Sequence, residues 1–239
     1  MLLPSAAIAL LCLSAQVHDP DEANLAGART KIPEPMVFDL IRPLGAAKGE
    51  VEVNSLFRAF PQRSGRALKW APEVEFTLFD GVGIEFELPL NNQTIESTKI
   101  AGQATLPGPN PKHFIHGLQG IWEDLRQTSG GQADMLYLLG YRWNRQWSLF
   151  TMTGARRQWN GSLAHSLLAN QTIFYQPNKR VVFGLESNFQ GRTLDERSLL
   201  LMPQVHFKQG RLNFQMGTGA QRTESGAKLV IGWRISREF

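Results

Sequence analysis

The sequence predicts an all-β protein, and within that class an antiparallel transmembrane β-barrel of about twelve strands, with ten as the alternative. Three observations lead there. From residue 51 onward apolar side chains recur at every second position, the period of a strand with two unlike faces. Short and long connections alternate between these segments, as in barrels whose tight turns lie on one side of a membrane and whose loops lie on the other. An apolar stretch ahead of them has the layout of an export signal.

Composition points the same way. The 239 residues include 22 Gly, 13 Pro and 14 Phe against a single Cys, a mixture suited to short strands and tight turns. With 19% charged and 42% hydrophobic residues, the chain falls outside the disordered class. Beyond residue 15 no apolar run approaches the ~18 residues of a spanning helix. The net charge of +4 and pI near 9.4 are spread along the chain and form no basic block or stripe, which argues against nucleic acid as a partner.

Residues 1–15 read as a signal peptide. Leu2 to Leu13 are apolar but for Pro4 and Ser5, and the small residues Ser14 and Ala15 precede the polar Gln16. No Lys or Arg stands beside Met1, so either the leading region is atypical or the start lies upstream; a disordered apolar tail is the plainer alternative. Cys12 would leave with the peptide, and Leu10 and Leu11 before it do not supply the small residue of a lipoprotein cleavage site. Export without disulfides suits a bacterial envelope. Residues 16–49, with Pro20, Pro33, Pro35 and Pro43 among charges, read as an extended leader, periplasmic or plug-like.

Residues 50–239 form the expected barrel. The segments are 51–60, 70–79, 82–90, 94–103, 114–125, 134–143, 147–157, 163–175, 180–190, 198–209, 211–221 and 227–239, each near the ~9–11 residues of a tilted membrane strand. In one, Val82, Ile84, Phe86, Leu88 and Leu90 oppose Gly83, Glu85 and Glu87; in another, Val181, Phe183, Leu185 and Phe189 oppose Gly184, Glu186 and Asn188. Segment 114–125, with Phe114, Leu118, Ile121, Trp122 and Leu125, also fits a helical period, which is the source of the ten-strand alternative. Asp80-Gly81, residues 144–146, 176–179 and Gln209-Gly210 are short connections, and 61–69, 126–133, 159–162, 191–197 and 222–226 are longer. Asn91-Asn92-Gln93 is too short for its side and 104–112 too long for the other.

Alternation alone also describes a soluble barrel. A membrane barrel differs in placing apolar residues outward and polar ones inside. Here the polar faces mix charge with glycine, and Trp70, Tyr137, Tyr141, Trp143, Trp147, Tyr175 and Trp233 lie near strand ends, as interfacial girdles do.

The last segment carries Leu229, Ile231, Trp233, Ile235 and Phe239 on one face and ends on an aromatic. It resembles the carboxy-terminal signal of bacterial outer-membrane barrels, read by the barrel-assembly machinery; Trp233, Ile235 and Phe239 would carry that signal, from which Arg237 departs. More narrowly, Lys48-Gly49-Glu50-Val51-Glu52-Val53, Trp70-Ala71-Pro72-Glu73-Val74-Glu75-Phe76 and Gly83-Ile84-Glu85-Phe86-Glu87-Leu88-Pro89-Leu90 resemble the opening of the outer-membrane barrel family labelled transporters of the MetA-type phenol-degradation pathway. That resemblance implies a barrel of around a dozen strands and passage of small, often hydrophobic, molecules.

No catalytic constellation stands out and no cofactor is expected. His165-Ser166 with Glu186 is the candidate hydrolase cluster, but adjacent strand residues face opposite ways. His113, His116, Glu123 and Asp124 would approach a metal-ligand spacing only on a helix. The candidate lumen residues are Glu52, Glu75, Glu85, Glu87, Arg142, Glu186, His206 and Arg234, with Glu73, Arg156 and Lys208 beside them, able either to filter solutes or to close the barrel with ion pairs. Arg63, Arg66, Lys69, Arg156, Arg157, Arg192 and Arg222 fall near the outer loops, where lipopolysaccharide phosphates would meet them. The expectation is a narrow channel or facilitator in a Gram-negative outer membrane, in contact with its lipid and lipopolysaccharide. The competing readings are an outer-membrane lipid hydrolase, a structural barrel without transport, and a soluble periplasmic ligand-binding β protein.

Overall fold

The computed structural model describes residues 30–38, 40–61, 68–110, 112–126, 130–159, 163–192 and 197–239. The expected signal peptide, residues 1–15, residues 16–29 of the expected leader, and Arg63 and Arg66 lie outside them.

The strands are β1 (Val51–Ala59), β2 (Leu68–Phe79), β3 (Val82–Glu87), β4 (Leu90–Asn91), β5 (Thr94–Ile95), β6 (Ser97–Leu106), β7 (Phe114–Leu125), β8 (Gly130–Arg142), β9 (Trp147–Trp159), β10 (Leu163–Tyr175), β11 (Val181–Gly191), β12 (Arg197–Gln209), β13 (Leu212–Thr223) and β14 (Gly226–Glu238). Every pairing is antiparallel, and β1 pairs with both β2 and β14, so the sheet closes and leaves no edge to satisfy. Twelve strands form the wall, because β4 continues the line of β3 along β2 and β5 only folds back on β4.

Segment 114–125 is a strand, β7, paired with β8 along its whole length and with β6 from His116 to Leu125; the ten-strand alternative falls with it. The irregular region is residues 88–96. Pro89 lacks an N–H for the ladder and breaks the strand after Glu87. The chain then makes the small β4–β5 hairpin, turning through Asn92 at φ 54°, before β6 starts at Ser97 rather than at residue 94. This gives the connection the length that the loop side of a barrel requires. At the opposite rim, Gly81 (φ 77°) and Gly210 (φ 62°) occupy left-handed positions in the tight turns.

The outer surface is apolar. Phe86, Ile100, Trp122, Met135, Leu185 and Met216 are among its exposed side chains. Aromatic contacts lie toward both rims: Tyr141 with Trp143 and Trp147 with Tyr175 at the turn side, Trp122 with Trp159 at the loop side, and Phe57 stacked between Trp70 and Trp233. A closed barrel with this exterior calls for a lipid surround. Ile235 belongs to the same outward face, and Phe239 is exposed at the rim with its N–H on the Val51 carbonyl.

Of the leader, residues 30–38 and 40–46 lie in the barrel lumen and fill it. Ile32, Leu40, Ile41 and Leu44 pack on inward-facing Ile115, Leu136, Leu138, Phe150, Met152 and Phe174, while Met36 packs on Leu200, Met202 and Val230. One wall of the lumen is thus apolar, and the apolar face of the leader covers it. The opposite wall, on β1, β2, β3 and β6, is charged.

Candidate functional site

The site is the lumen with its plug, residues 30–46. Alternation on β1 turns Glu52 and Asn54 inward, on β2 Glu73 and Glu75, on β3 Glu85 and Glu87, and on β14 Arg234. The barrel register brings Arg234 beside residues far away in sequence. Its guanidinium donates to Asn54 Oδ1 at 3.1 Å, to Glu73 Oε1 at 2.8 Å and to Glu75 Oε1 at 3.2 Å. Asn54 Nδ2 in turn donates to Glu75 at 2.6 Å.

The plug adds a second guanidinium to this wall. Arg42 donates to Glu52 at 2.7 Å and to Glu50 at 2.9 Å, and lies 3.7 Å from Glu75. Glu75 therefore stands between Arg42 of the plug and Arg234 of the barrel. Glu34 lies 3.9 Å from Arg234. Burial and the nearby Glu52 push the Glu34 carboxyl up to about 7, against the pull of Arg234 and Arg42.

A different contact fixes the middle of the plug. The Glu186 carboxylate accepts the backbone N–H groups of Met36 at 3.0 Å, Val37 at 3.1 Å and Phe38 at 2.8 Å, and also Asn188 Nδ2 and Gln204 Nε2. Prolines at 33, 35 and 43 keep the segment out of regular structure, so its buried N–H groups need side-chain acceptors, and Glu186 supplies one for three of them. Gly45 N–H donates to Thr105 Oγ1 at 2.8 Å, and Gln103 Nε2 donates to the Arg42 carbonyl at 2.7 Å.

Of the remaining candidates, His206 is buried against Phe174 and hydrogen-bonded to Gln204. Arg142 reaches inward at the turn-side rim and donates to the carbonyl of Lys31 at the start of the plug. Lys208 lies 3.7 Å from Glu238. Glu85 and Glu87 take the ammonium of Lys99. Arg156, which the sequence offers both to the lumen and to the outer loops, and Lys69, offered to the outer loops, face inward: Arg156 is bidentate on Asp134 and Lys69 pairs with Glu96. Arg157 and Arg222 are exposed on the outer face and Arg192 is exposed beyond the end of β11.

The hydrolase cluster is not assembled, because Ser166 and Glu186 face the lumen and His165 faces outward. His113, His116, Glu123 and Asp124 also stay apart; His116 bonds Tyr137 on the outer face, and Glu123 accepts from Ser97 and Gln132 inside. Glu73, Glu85 and Glu87 bring carboxylate oxygens within 4.8 Å of one another, a spacing that could hold a cation, but Lys99 and Arg234 already supply positive charge there.

Sequence reasoning missed Arg42, Met36, Asn54, Lys99 and Gln103. Strands apolar on both faces, as in Met135 to Leu139, were the available sign that something apolar fills the lumen.

The plug separates two cavities. The loop-side cavity, about 460 Å³, is bounded by Met36 to Phe38 below and by Arg58, Lys69, Glu96 and Arg156 among its walls. The turn-side cavity, about 850 Å³, lies between Glu34, Arg42 and the rim residues Lys179, Lys208 and Glu238.

Closed wall, apolar exterior and charged lumen define an outer-membrane β-barrel fold. Comparison with solved structures agrees. The chain is similar to the COG4313 outer membrane channel from Pseudomonas putida F1 (TM-score 0.64, 11% identity, covering 87% of this chain and 100% of that one). It is also similar to the KdgM porin (TM-score 0.60, 11% identity, 77% and 97%) and to the KdgM porin in complex with disordered oligogalacturonate (TM-score 0.61, 10% identity, 77% and 97%). A family model described as HAEPLYID-like matches residues 28–107, so the match takes in the plug together with the wall through β6. No curated protein matches the chain in sequence.

Proposed function

We propose that the protein is an outer-membrane channel for small molecules whose resting state is closed by its own residues 30–46. The observation that carries this reading is the manner of attachment. Polar contacts fix the plug at Glu186 and at Arg42, and a cavity lies on either side of it. Hydrogen bonds and ion pairs of this kind can be exchanged for water or for a ligand, whereas a lumen filled by strand side chains alone could not clear. A dozen strands sit between the side-chain-filled bore of about eight and the aqueous bore of about sixteen, so a plug of this size suffices to shut the path.

Passage of small, often hydrophobic, molecules in the manner of the MetA-type family is the finer form of the proposal, supported by the acidic and apolar-Pro-apolar strand patterns at residues 48–90. A channel without catalysis agrees with the separation of His165 from Ser166 and Glu186. Outer-membrane lipid and lipopolysaccharide are its expected surroundings, and the barrel-assembly machinery its expected partner through Trp233, Ile235 and Phe239. Liposome swelling tests the reading. Vesicles carrying wild-type protein should admit small solutes slowly and vesicles carrying Glu186→Gln faster; equal, negligible swelling for both would overturn it.

A further inference from the structure

Among the described residues, the cations along the loop-side cavity are Arg58, Lys69, Lys99, Arg156 and Arg234. All but one are neutralised: Lys69 by Glu96, Lys99 by Glu85 and Glu87, Arg156 by Asp134, and Arg234 by Glu73 and Glu75. Arg58 is the exception, half-buried on the inward face of β1, with no hydrogen bond or ion pair among the described residues. The carboxylates that act on it electrostatically are Glu87, Glu96 and Glu186. Each is already engaged, by Lys99, by Lys69 and by the plug backbone. A guanidinium cannot shed its proton to relieve this, so it keeps a full charge and a planar fork of donors facing the cavity.

Its surroundings restrict the ligand further. Leu56 and Phe60, two residues to either side of Arg58, pack on Met36, Leu200, Met202 and Val230, with Val37 of the plug beside them. An inorganic anion would gain nothing from such neighbours and would lose hydration. An anion with an apolar body gains from both, the fork gripping its carboxylate and the aliphatic patch covering the rest. Asn170 Nδ2, buried on β10, lines the same cavity without a hydrogen-bond partner among the described residues, a second donor turned to it. The volume, about 460 Å³, is within the range of small-molecule sites.

We propose that this cavity binds a small amphipathic organic anion, a monocarboxylate on an aromatic or aliphatic body, through Arg58. The proposal names the substrate class of the channel and rests on that reading. The test is calorimetric titration of the full chain in detergent micelles with benzoate, with benzyl alcohol as its neutral counterpart and empty micelles subtracted. Benzoate should saturate one site per barrel and bind at least ~10-fold more tightly than the alcohol, the scale of one charge-assisted hydrogen-bonded contact. Arg58→Gln should lose that advantage without altering the heat-modified gel mobility of the barrel, since Arg58 holds nothing in place, and Arg58→Lys should retain part of it. Equal binding of benzoate and benzyl alcohol to the wild type, or undiminished benzoate binding by Arg58→Gln, would overturn the proposal. The channel reading fails or stands separately: a Glu186→Gln barrel that conducts but ignores benzoate refutes only the anion site, and one that binds benzoate but never conducts refutes only the channel.

Discussion

Glu186→Gln isolates the latch in the middle of the plug. In the wild type Oε2 accepts Met36 and Val37 N–H and Oε1 accepts Phe38 N–H. Glutamine keeps one of those oxygens. If it takes the Oε2 place, the Phe38 N–H faces an amide nitrogen and loses a charge-assisted bond of ~1.5–3 kcal/mol, and the other two fall to neutral strength, ~1 kcal/mol less each. The sum, about 3.5–5 kcal/mol, corresponds to roughly 300- to 4,000-fold in the population of the released segment. Five donors surround the carboxylate, counting Met36, Val37, Phe38, Asn188 and Gln204, so the burial cost of the charge is already offset and its removal returns little. Hydrogen exchange reads the effect directly, because these amides exchange through local opening. The Met36, Val37 and Phe38 amides should lose protection by that factor while amides in the β8–β9 ladder keep theirs. Unchanged or increased protection at Met36 to Phe38 would refute the latch.

Three further outcomes are expected. Arg42→Ala leaves Glu52 buried without its guanidinium, a loss of about 3–5 kcal/mol for one partner of a buried pair, and should expose the plug to protease; adding Glu52→Gln should recover a substantial part of the resistance. Gly154→Ala would place a Cβ 1.9 Å from the Met135 carbonyl oxygen on the neighbouring strand, a clash on the scale of ~1–3 kcal/mol, and should lower the temperature at which the folded gel band converts. Leu185→Arg puts a charge on the outer face near the middle of β11, where it should cost ~2–4 kcal/mol in a bilayer and reduce the folded fraction in vesicles; a water-soluble barrel would tolerate it.

The wall was legible because its signal is local. A period of two survives in nearly every strand, and on β1 to β3 it also sorted Glu52, Glu75 and Glu85 onto the inner face. The lapse at 88–96 has a local cause too: Pro89 breaks the strand, and the two-residue strands of the following hairpin are too short to show a period. Pairing inside the lumen was not legible. Arg234 meets Glu73 across 161 positions, and only the stagger of a closed barrel determines that. Lys69 was misread for the same reason, since nearness to a loop says nothing about which face a side chain takes, and Arg156 fitted both the lumen and the loop reading until the register placed it inside. The plug left a fainter trace. Leu136 and Leu138 face inward while Met135 and Tyr137 face outward, and a strand apolar on both faces is covered on both; its cover, residues 30–46, has no period and could not be matched to it from sequence.

The central claim is that residues 30–46 are the gate, and a tether tests it most directly. Met36 of the plug packs on Met202 of β12, so Met36→Cys with Met202→Cys, in a Glu186→Gln and Cys12→Ser background, can be joined by a short reducible thiol cross-linker. In planar bilayers the untethered variant should show open-channel current, the cross-linked one should fall silent, and reductant should restore the current. Current that persists through the tether would show that solutes pass by another route and that the plug is not the gate.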